Sequence, residues 1–185
     1  MAYKSYCAYA DSLTDKKNHH KIYHDDFYGF PIEDDNELFE RLVLEINQAG
    51  LSWDTILKKQ KNFRKAYHRF SVKKVASYTA REKKRLLADA GIIRNRLKVD
   101  AAIHNANVIL RLQKEYGSFK KWLDAQTIRT REEWTVLFKK TFRFTGGEIV
   151  NEFLMSTGYL PGAHEKSCQW YPKVLRAKPA WRRHL

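Results

Sequence analysis

Residues 34–53 read Asp-Asp-Asn-Glu-Leu-Phe-Glu-Arg-Leu-Val-Leu-Glu-Ile-Asn-Gln-Ala-Gly-Leu-Ser-Trp. Leu38, Phe39, Leu42, Val43 and Ile46 recur at helical spacing, which predicts an amphipathic helix. Asp34 followed by Glu37 is a capping-box start, and Gly50 suits a C-terminal cap. Glu45, three residues after Leu42, falls on or beside the apolar face, where a carboxylate is costly unless something pairs with it. Just upstream, residues 23–31 read Tyr-His-Asp-Asp-Phe-Tyr-Gly-Phe-Pro, and Trp53 closes the stretch. An acid and several aromatic rings gathered by one helix and its flanks predict a pocket for a flat, polar or cationic ligand.

Outward from this helix the pattern stays helical. A second helix is predicted over 53–68, with Ile56, Leu57, Phe63 and Tyr67 inward, and a short connector carries Val72, Val75 and Tyr78. Further helices are expected over 81–90, 98–116, 119–123, 132–140 and 147–155, with Gly91, Gly117 and Gly158 as breaks. Residues 1–33 read as irregular. The tail 165–185, rich in Lys, Arg, Trp and Pro, is expected to be partly disordered. No alternating strand pattern and no repeat is present, so the fold class is all-α, built from short helices.

The formal charge of +14 favours a polyanionic partner, because cations that neutralise phosphates release counterions. A basic protein with no nucleic-acid role is the plainer alternative. With 43% hydrophobic residues the chain has material for a core, and its length fits one domain, or a compact domain with a small appended lobe. No apolar run is long enough to span a membrane, and the N-terminus lacks the apolar region of a signal peptide. Cys7 and Cys168 could close one long disulfide loop, but without a secretion signal a reducing cytoplasm is the expectation.

Two further stretches carry chemistry. Residues 86–99, Leu-Leu-Ala-Asp-Ala-Gly-Ile-Ile-Arg-Asn-Arg-Leu-Lys-Val, place a glycine-started turn between two helices. In a helix-hairpin-helix element the backbone N–H groups of such a turn face a phosphate, here from Gly91, Ile92 and Ile93. Arg94, Arg96 and Lys98 would add long-range attraction without reading sequence. The same spacing also fits an ordinary helical hairpin with a solvated basic turn. His164 and Cys168 lie four residues apart, a spacing suited to one metal ion, and Cys7 with His24 supplies a second pair. Together they make a Cys₂His₂ set, which favours closed, structural, tetrahedral zinc tying the two ends of the chain. Two unrelated thiols with exposed histidines remain the alternative, because no local motif links the halves.

Tyr23-His24-Asp25, Tyr28-Gly29-Phe30-Pro31, Leu38-Phe39-Glu40, Leu44-Glu45 and Gln48-Ala49-Gly50-Leu51-Ser52-Trp53 together resemble the bacterial 3-methyladenine DNA glycosylase I (TAG) family. Asp89 to Arg94 resembles that family's hairpin, and Phe142-Arg143-Phe144-Thr145-Gly146 with His164 and Cys168 its C-terminal part. The resemblance implies a helix-hairpin-helix glycosylase fold in one domain over 1–168. Its zinc-binding ends, 1–33 and 159–168, would pack together, its hairpin would span 86–105, and a basic tail would follow over 169–185. Cys7, His24, His164 and Cys168 fall on the family's zinc ligands. Glu45 matches the glutamate that hydrogen-bonds the excised base, Tyr23 a pocket tyrosine, and Trp53 the ring that stacks on the base. Tyr9 and Tyr28 match pocket positions where the family often has tryptophan, and His20 one where tyrosine is common. Ile46 replaces a small residue, and Leu97 a hairpin glycine.

The implied activity is excision of N3-methyladenine from double-stranded alkylated DNA, by a cytoplasmic monomer and without strand cleavage. Related glycosylases use an aspartate after the hairpin; here the sole acid in 101–123 is Glu115, and the type-I family lacks that aspartate. The rival expectations are a non-catalytic DNA-binding module of the same fold, or a glycosylase with a shifted alkyl-purine preference.

Overall fold

The computed structural model describes residues 3–127 and 130–184. Among these residues there are helices and turns but no strands. In chain order the helices are α1 (Tyr6–Ser12), α2 (His19–Asp26), α3 (Asp35–Gln48), α4 (Trp53–Ala66), α5 (Val72–Ala76), α6 (Ala80–Ala88), α7 (Arg96–Tyr116), α8 (Phe119–Asp124), α9 (Arg131–Thr141), α10 (Gly147–Ser156) and α11 (Tyr171–Arg176). Contacts divide the chain into two compact units: Met1–Pro31 with Asn151–Leu185, and Ile32–Val150. Helix α10 begins in the second range and ends in the first.

The unit 32–150 is organised by α3. The Asp34 carboxylate accepts from the Glu37 N–H at 2.9 Å, which starts the helix where the sequence places it. Leu38, Phe39, Leu42 and Val43 are fully buried. Each contributes about 1.5–3 kcal/mol by leaving water. At its start Asp35 accepts from the Phe119 and Lys120 N–H groups (2.8 and 2.9 Å) and from Gln113 Nε2 (2.7 Å), tying α3 to α7 and α8. On its flank Glu40 receives Arg64 Nε at 2.8 Å and Gln60 Nε2 at 2.8 Å, so this nearly buried carboxylate is paired to α4. The α4 helix ends at Ala66, short of the expected residue 68, because His68, Arg69 and Phe70 turn left-handed (φ 51, 54 and 55). That strained turn is held by the fully buried Phe70 ring, stacked on Tyr67 at 5.4 Å and 3°.

The other unit corrects the expectation for the N-terminus. Among the described residues of 1–33, expected to be irregular, two helices form: Ser5 caps α1 through the Ala8 N–H, and Asn18 caps α2 through the His20 N–H. Their buried positions are Cys7 and Ala10 on α1 and His20, Tyr23, His24 and Asp25 on α2, none of them a large aliphatic residue, so no apolar stripe announces them. The described part of the C-terminal segment, expected to be partly disordered, holds α11 and a 3₁₀ turn, Ala180–His184. Val174 and Pro179 are buried, and the Lys173 ammonium stands 4.5 Å from the Trp170 ring and 5.4 Å from that of Phe30.

Candidate functional site

Cys7 on α1, His24 on α2, and His164 and Cys168 in the loop after α10 converge, all buried, with one ligand atom each within 4.8 Å of the others. The sulfur–nitrogen separations are 3.8 Å (Cys7 Sγ to His164 Nδ1), 3.3 Å (Cys168 Sγ to His164 Nδ1) and 3.8 Å (Cys168 Sγ to His24 Nε2). Each imidazole has its other nitrogen engaged: His24 Nδ1 with the Asp25 carboxylate at 2.7 Å, His164 Nε2 with the Tyr28 carbonyl at 2.7 Å. Those outer bonds orient both rings and turn one nitrogen of each toward the sulfurs. The set could hold a metal ion. Burial pushes the Cys7 thiol up to about 11, with the neighbouring Cys168 adding to the effect. Burial lowers the His164 pKa, against the Tyr28 carbonyl, which raises it. Gly29, at φ +82, lets the chain pass this centre: a Cβ there would stand 2.7 Å from Ala163 Cβ and 3.3 Å from His164 Cδ2.

The same unit gathers the expected pocket rings. Tyr9 and His20 lie 5.2 Å apart and Tyr23 and Tyr28 5.5 Å apart, centroid to centroid. Tyr6, not singled out in the sequence, stands among them, 5.5 Å from Tyr28, 5.9 Å from His20 and 6.4 Å from Tyr23. Its hydroxyl meets His20 Nδ1 at 3.2 Å. The spacing Tyr3, Tyr6, Tyr9 is the signal that could have found it. The Tyr28 hydroxyl donates to Glu152 Oε2 at 3.3 Å, bringing in a second unforeseen residue.

Glu45 and Trp53 belong to the other unit. Glu45 lies on α3 with 4% exposure, the burial expected from its register. Trp53 opens α4, whose cap Ser52 accepts from the Thr55 N–H at 3.2 Å. Between them Gly50 turns left-handed (φ +80), where glycine has no Cβ to resist.

The hairpin joins α6 to α7 through residues 89–95. Asp89 accepts from the Gly91 N–H at 2.7 Å, and the Asn95 side chain caps α7 through the Lys98 N–H at 3.1 Å. Ile92 is buried and anchors the turn, Ile93 is half-buried, and Arg94 and Arg96 are exposed. Lys98 is placed differently from its neighbours. Only 5% exposed, it donates from Nζ to the Asn47 and Ala49 carbonyls at 2.9 and 2.7 Å, closing the C-terminus of α3. Burial lowers its pKa. Among the described residues no helix is long and apolar enough to cross a membrane.

A family model for methyladenine glycosylase matches residues 13–136. DNA-3-methyladenine glycosylase 1 of Escherichia coli (strain K12) is 36% identical over 169 residues, covering 81% of this chain and 90% of that protein. The DNA-3-methyladenine glycosylase of Haemophilus influenzae is 33% identical, covering 79% and 89%. Among solved structures, 3-methyladenine DNA glycosylase I (TAG) from Staphylococcus aureus, described for its recognition of 3-methyladenine, superposes with a TM-score of 0.76 at 33% identity, covering 87% of this chain and 94% of that one. With similarity of this extent in both sequence and fold, the chain belongs to the methyladenine glycosylase family.

Proposed function

We propose that this protein excises N3-methyladenine from alkylated duplex DNA by hydrolysing the bond between base and deoxyribose, leaving the strand uncut. The carrying observation is its 36% identity to a DNA-3-methyladenine glycosylase over 90% of that relative's length. Methylation at N3 makes the base cationic, so the C1′–N9 bond breaks with its electron pair passing to the base, which departs neutral. Water then adds to C1′ and releases a proton to solvent. The leaving group needs no proton, so the protein's work is to extract the base, hold it and refuse normal purines.

Glu45 is the residue we assign to recognition. Its buried carboxylate can accept from the exocyclic amino group of an adenine and offset the ring's positive charge. Guanine presents a carbonyl at that position and would be repelled. Trp53 supplies a stacking face, and Tyr23, Tyr28, Tyr9 and His20 are assigned as further rings that favour a cationic base.

For DNA, we assign the turn Gly91–Ile93 with Arg94 and Arg96 to phosphate contact, in a helix-hairpin-helix arrangement. Lys98, expected to join them, instead ties the first turn of α7 to the end of α3 through its bonds to the Asn47 and Ala49 carbonyls. For the Cys/His centre we propose zinc. The Zn–S and Zn–N bond lengths of a tetrahedral site imply S···N edges of about 3.6 Å, close to the observed 3.3–3.8 Å. Four protein ligands would close the coordination sphere, so the ion would support structure by fixing α1, α2 and the 164–168 loop. The protein is proposed to act as a cytoplasmic monomer with its catalytic domain over 1–168.

The test is to incubate the protein with methylated duplex DNA and identify the released bases. Free 3-methyladenine with little 7-methylguanine supports the reading. Binding without base release would favour a non-catalytic module, and mainly other alkylated purines a shifted preference.

A further inference from the structure

The segment 142–146, Phe-Arg-Phe-Thr-Gly, holds an aromatic ring where packing alone would not put one. Phe142 is buried, with 4% exposure, whereas Phe144 is 39% exposed. Phe144 also has a left-handed backbone, φ +61, a conformation that costs energy for any residue with a large side chain. Glycine would fit there without strain, and glycines follow at 146 and 147. The strained turn is held in place from inside. Fully buried Asn105 accepts from the Arg143 N–H at 2.8 Å and donates back to the Arg143 carbonyl at 3.1 Å. The buried Thr145 hydroxyl lies on the Phe138 and Phe142 carbonyls at 3.1 and 3.3 Å. Such buried clamps keep the ring presented outward.

Its surroundings define what it could meet. Phe144 lines an open hollow of about 560 Å³ with Lys139, Phe142, Arg143, Thr145, Gly146 and Ile149. Lys139, Lys140 and Arg143 are exposed on this stretch, and Glu148, the acid that follows, is paired with Arg131. The Lys98 ammonium stands 5.8 Å from the Phe144 ring centre while bonding the end of α3. Phe144 is thereby joined through one side chain both to the first turn of α7, which follows the hairpin, and to the helix that carries Glu45.

We propose that the 142–146 turn is a second nucleic-acid contact beside the hairpin: the Phe144 ring stacks on a nucleotide of the substrate DNA, and Arg143 and Lys139 take its phosphates. Exposed aromatics interleaved with cations are the physical means of holding a nucleotide without reading sequence, because every base and sugar offers an apolar face. The proposal rests on the DNA glycosylase reading.

The experiment measures binding to a fluorescent duplex carrying one tetrahydrofuran abasic-site analogue, by anisotropy over a range of salt. Phe144→Ala is expected to weaken binding at least about five-fold with little change in salt slope, since stacking is not ionic. Arg143→Gln is expected to lower the slope of log K against log salt by roughly one, as for one lost phosphate contact. Phe144→Gly removes the ring and the backbone strain together; it should melt cooperatively and bind as weakly as the alanine variant, which separates lost contact from misfolding. Folded Phe144 variants that bind within two-fold of wild type would overturn the proposal, as would an unchanged slope for Arg143→Gln. Failure of the wild type to release 3-methyladenine would instead count against the glycosylase reading, leaving the binding comparison to judge the contact.

Discussion

Alanine at Gly29 should damage the protein far more than alanine at Gly50, although both glycines are left-handed (φ +82 and +80). The conformational cost is shared: about 1–2 kcal/mol for a non-glycine residue in this region. At Gly50 it is the whole cost, because an added Cβ meets nothing within 4 Å. At Gly29 the new atom would stand 2.7 Å from Ala163 Cβ and 3.3 Å from His164 Cδ2. Carbon atoms prefer separations of about 3.5–4.0 Å, so Ala163 and the His164 ring must both move. Overpacking of this kind adds about 1–3 kcal/mol, for a total of about 2–5 kcal/mol. In a chain of this size each kcal/mol lowers Tm by about 2–4 °C, which puts Gly29→Ala roughly 4–20 °C down and Gly50→Ala roughly 2–8 °C down. Scanning calorimetry reads the stability, and competition with a chromogenic chelator reads metal retention. Gly29→Ala should also loosen the zinc proposed for this centre, since His164 is displaced, while Gly50→Ala should leave its retention unchanged. Equal destabilisation by the two changes, with equal metal retention, would refute the close approach of Gly29 to His164.

Other changes probe separate parts of the account. Lys98→Met removes two charge-assisted hydrogen bonds and leaves the Asn47 and Ala49 carbonyls unserved. It should lower unfolding free energy by about 2–4 kcal/mol in urea titrations. Asp35→Ala deletes an acceptor shared by Gln113, Phe119 and Lys120, and should cost about 1–3 kcal/mol by the same measurement. The purified protein should contain one zinc per chain by elemental analysis, and chelation should lower Tm. A ligand held at a thousand times its dissociation constant stabilises the folded state by about 4 kcal/mol. An unchanged melt after complete metal removal would contradict a structural role.

Much of the unit 32–150 is legible in the sequence because its helices bury aliphatic residues at regular spacing. Leu38, Phe39, Leu42, Val43 and Ile46 mark α3 by their periodicity alone, and the same register puts Glu45 beside the core. Helices α1 and α2 are not legible, because their buried positions (Cys7 and Ala10; His20, Tyr23, His24 and Asp25) include no large aliphatic residue at helical spacing. Partners distant in sequence hide other features. Glu40 is buried because Arg64 and Gln60 meet it from α4, and Lys98 because two backbone carbonyls receive it. The left-handed run His68–Phe70 is hard to read from the sequence, since it holds no glycine and only His68 is of a type enriched in that region. The four Cys/His ligands can be named as candidates but not joined by spacing alone, because their convergence depends on two ends of the chain sharing one unit.

The most direct test of the central claim is the identity of the bases released from methylated duplex DNA by wild type and Glu45→Gln. Wild type should release 3-methyladenine as its main product, with little 7-methylguanine, and the variant should lose about 10²-fold or more of that activity. Folded wild-type protein that binds DNA and frees no base would contradict the activity. A Glu45→Gln protein as active as wild type would contradict the role given to that carboxylate.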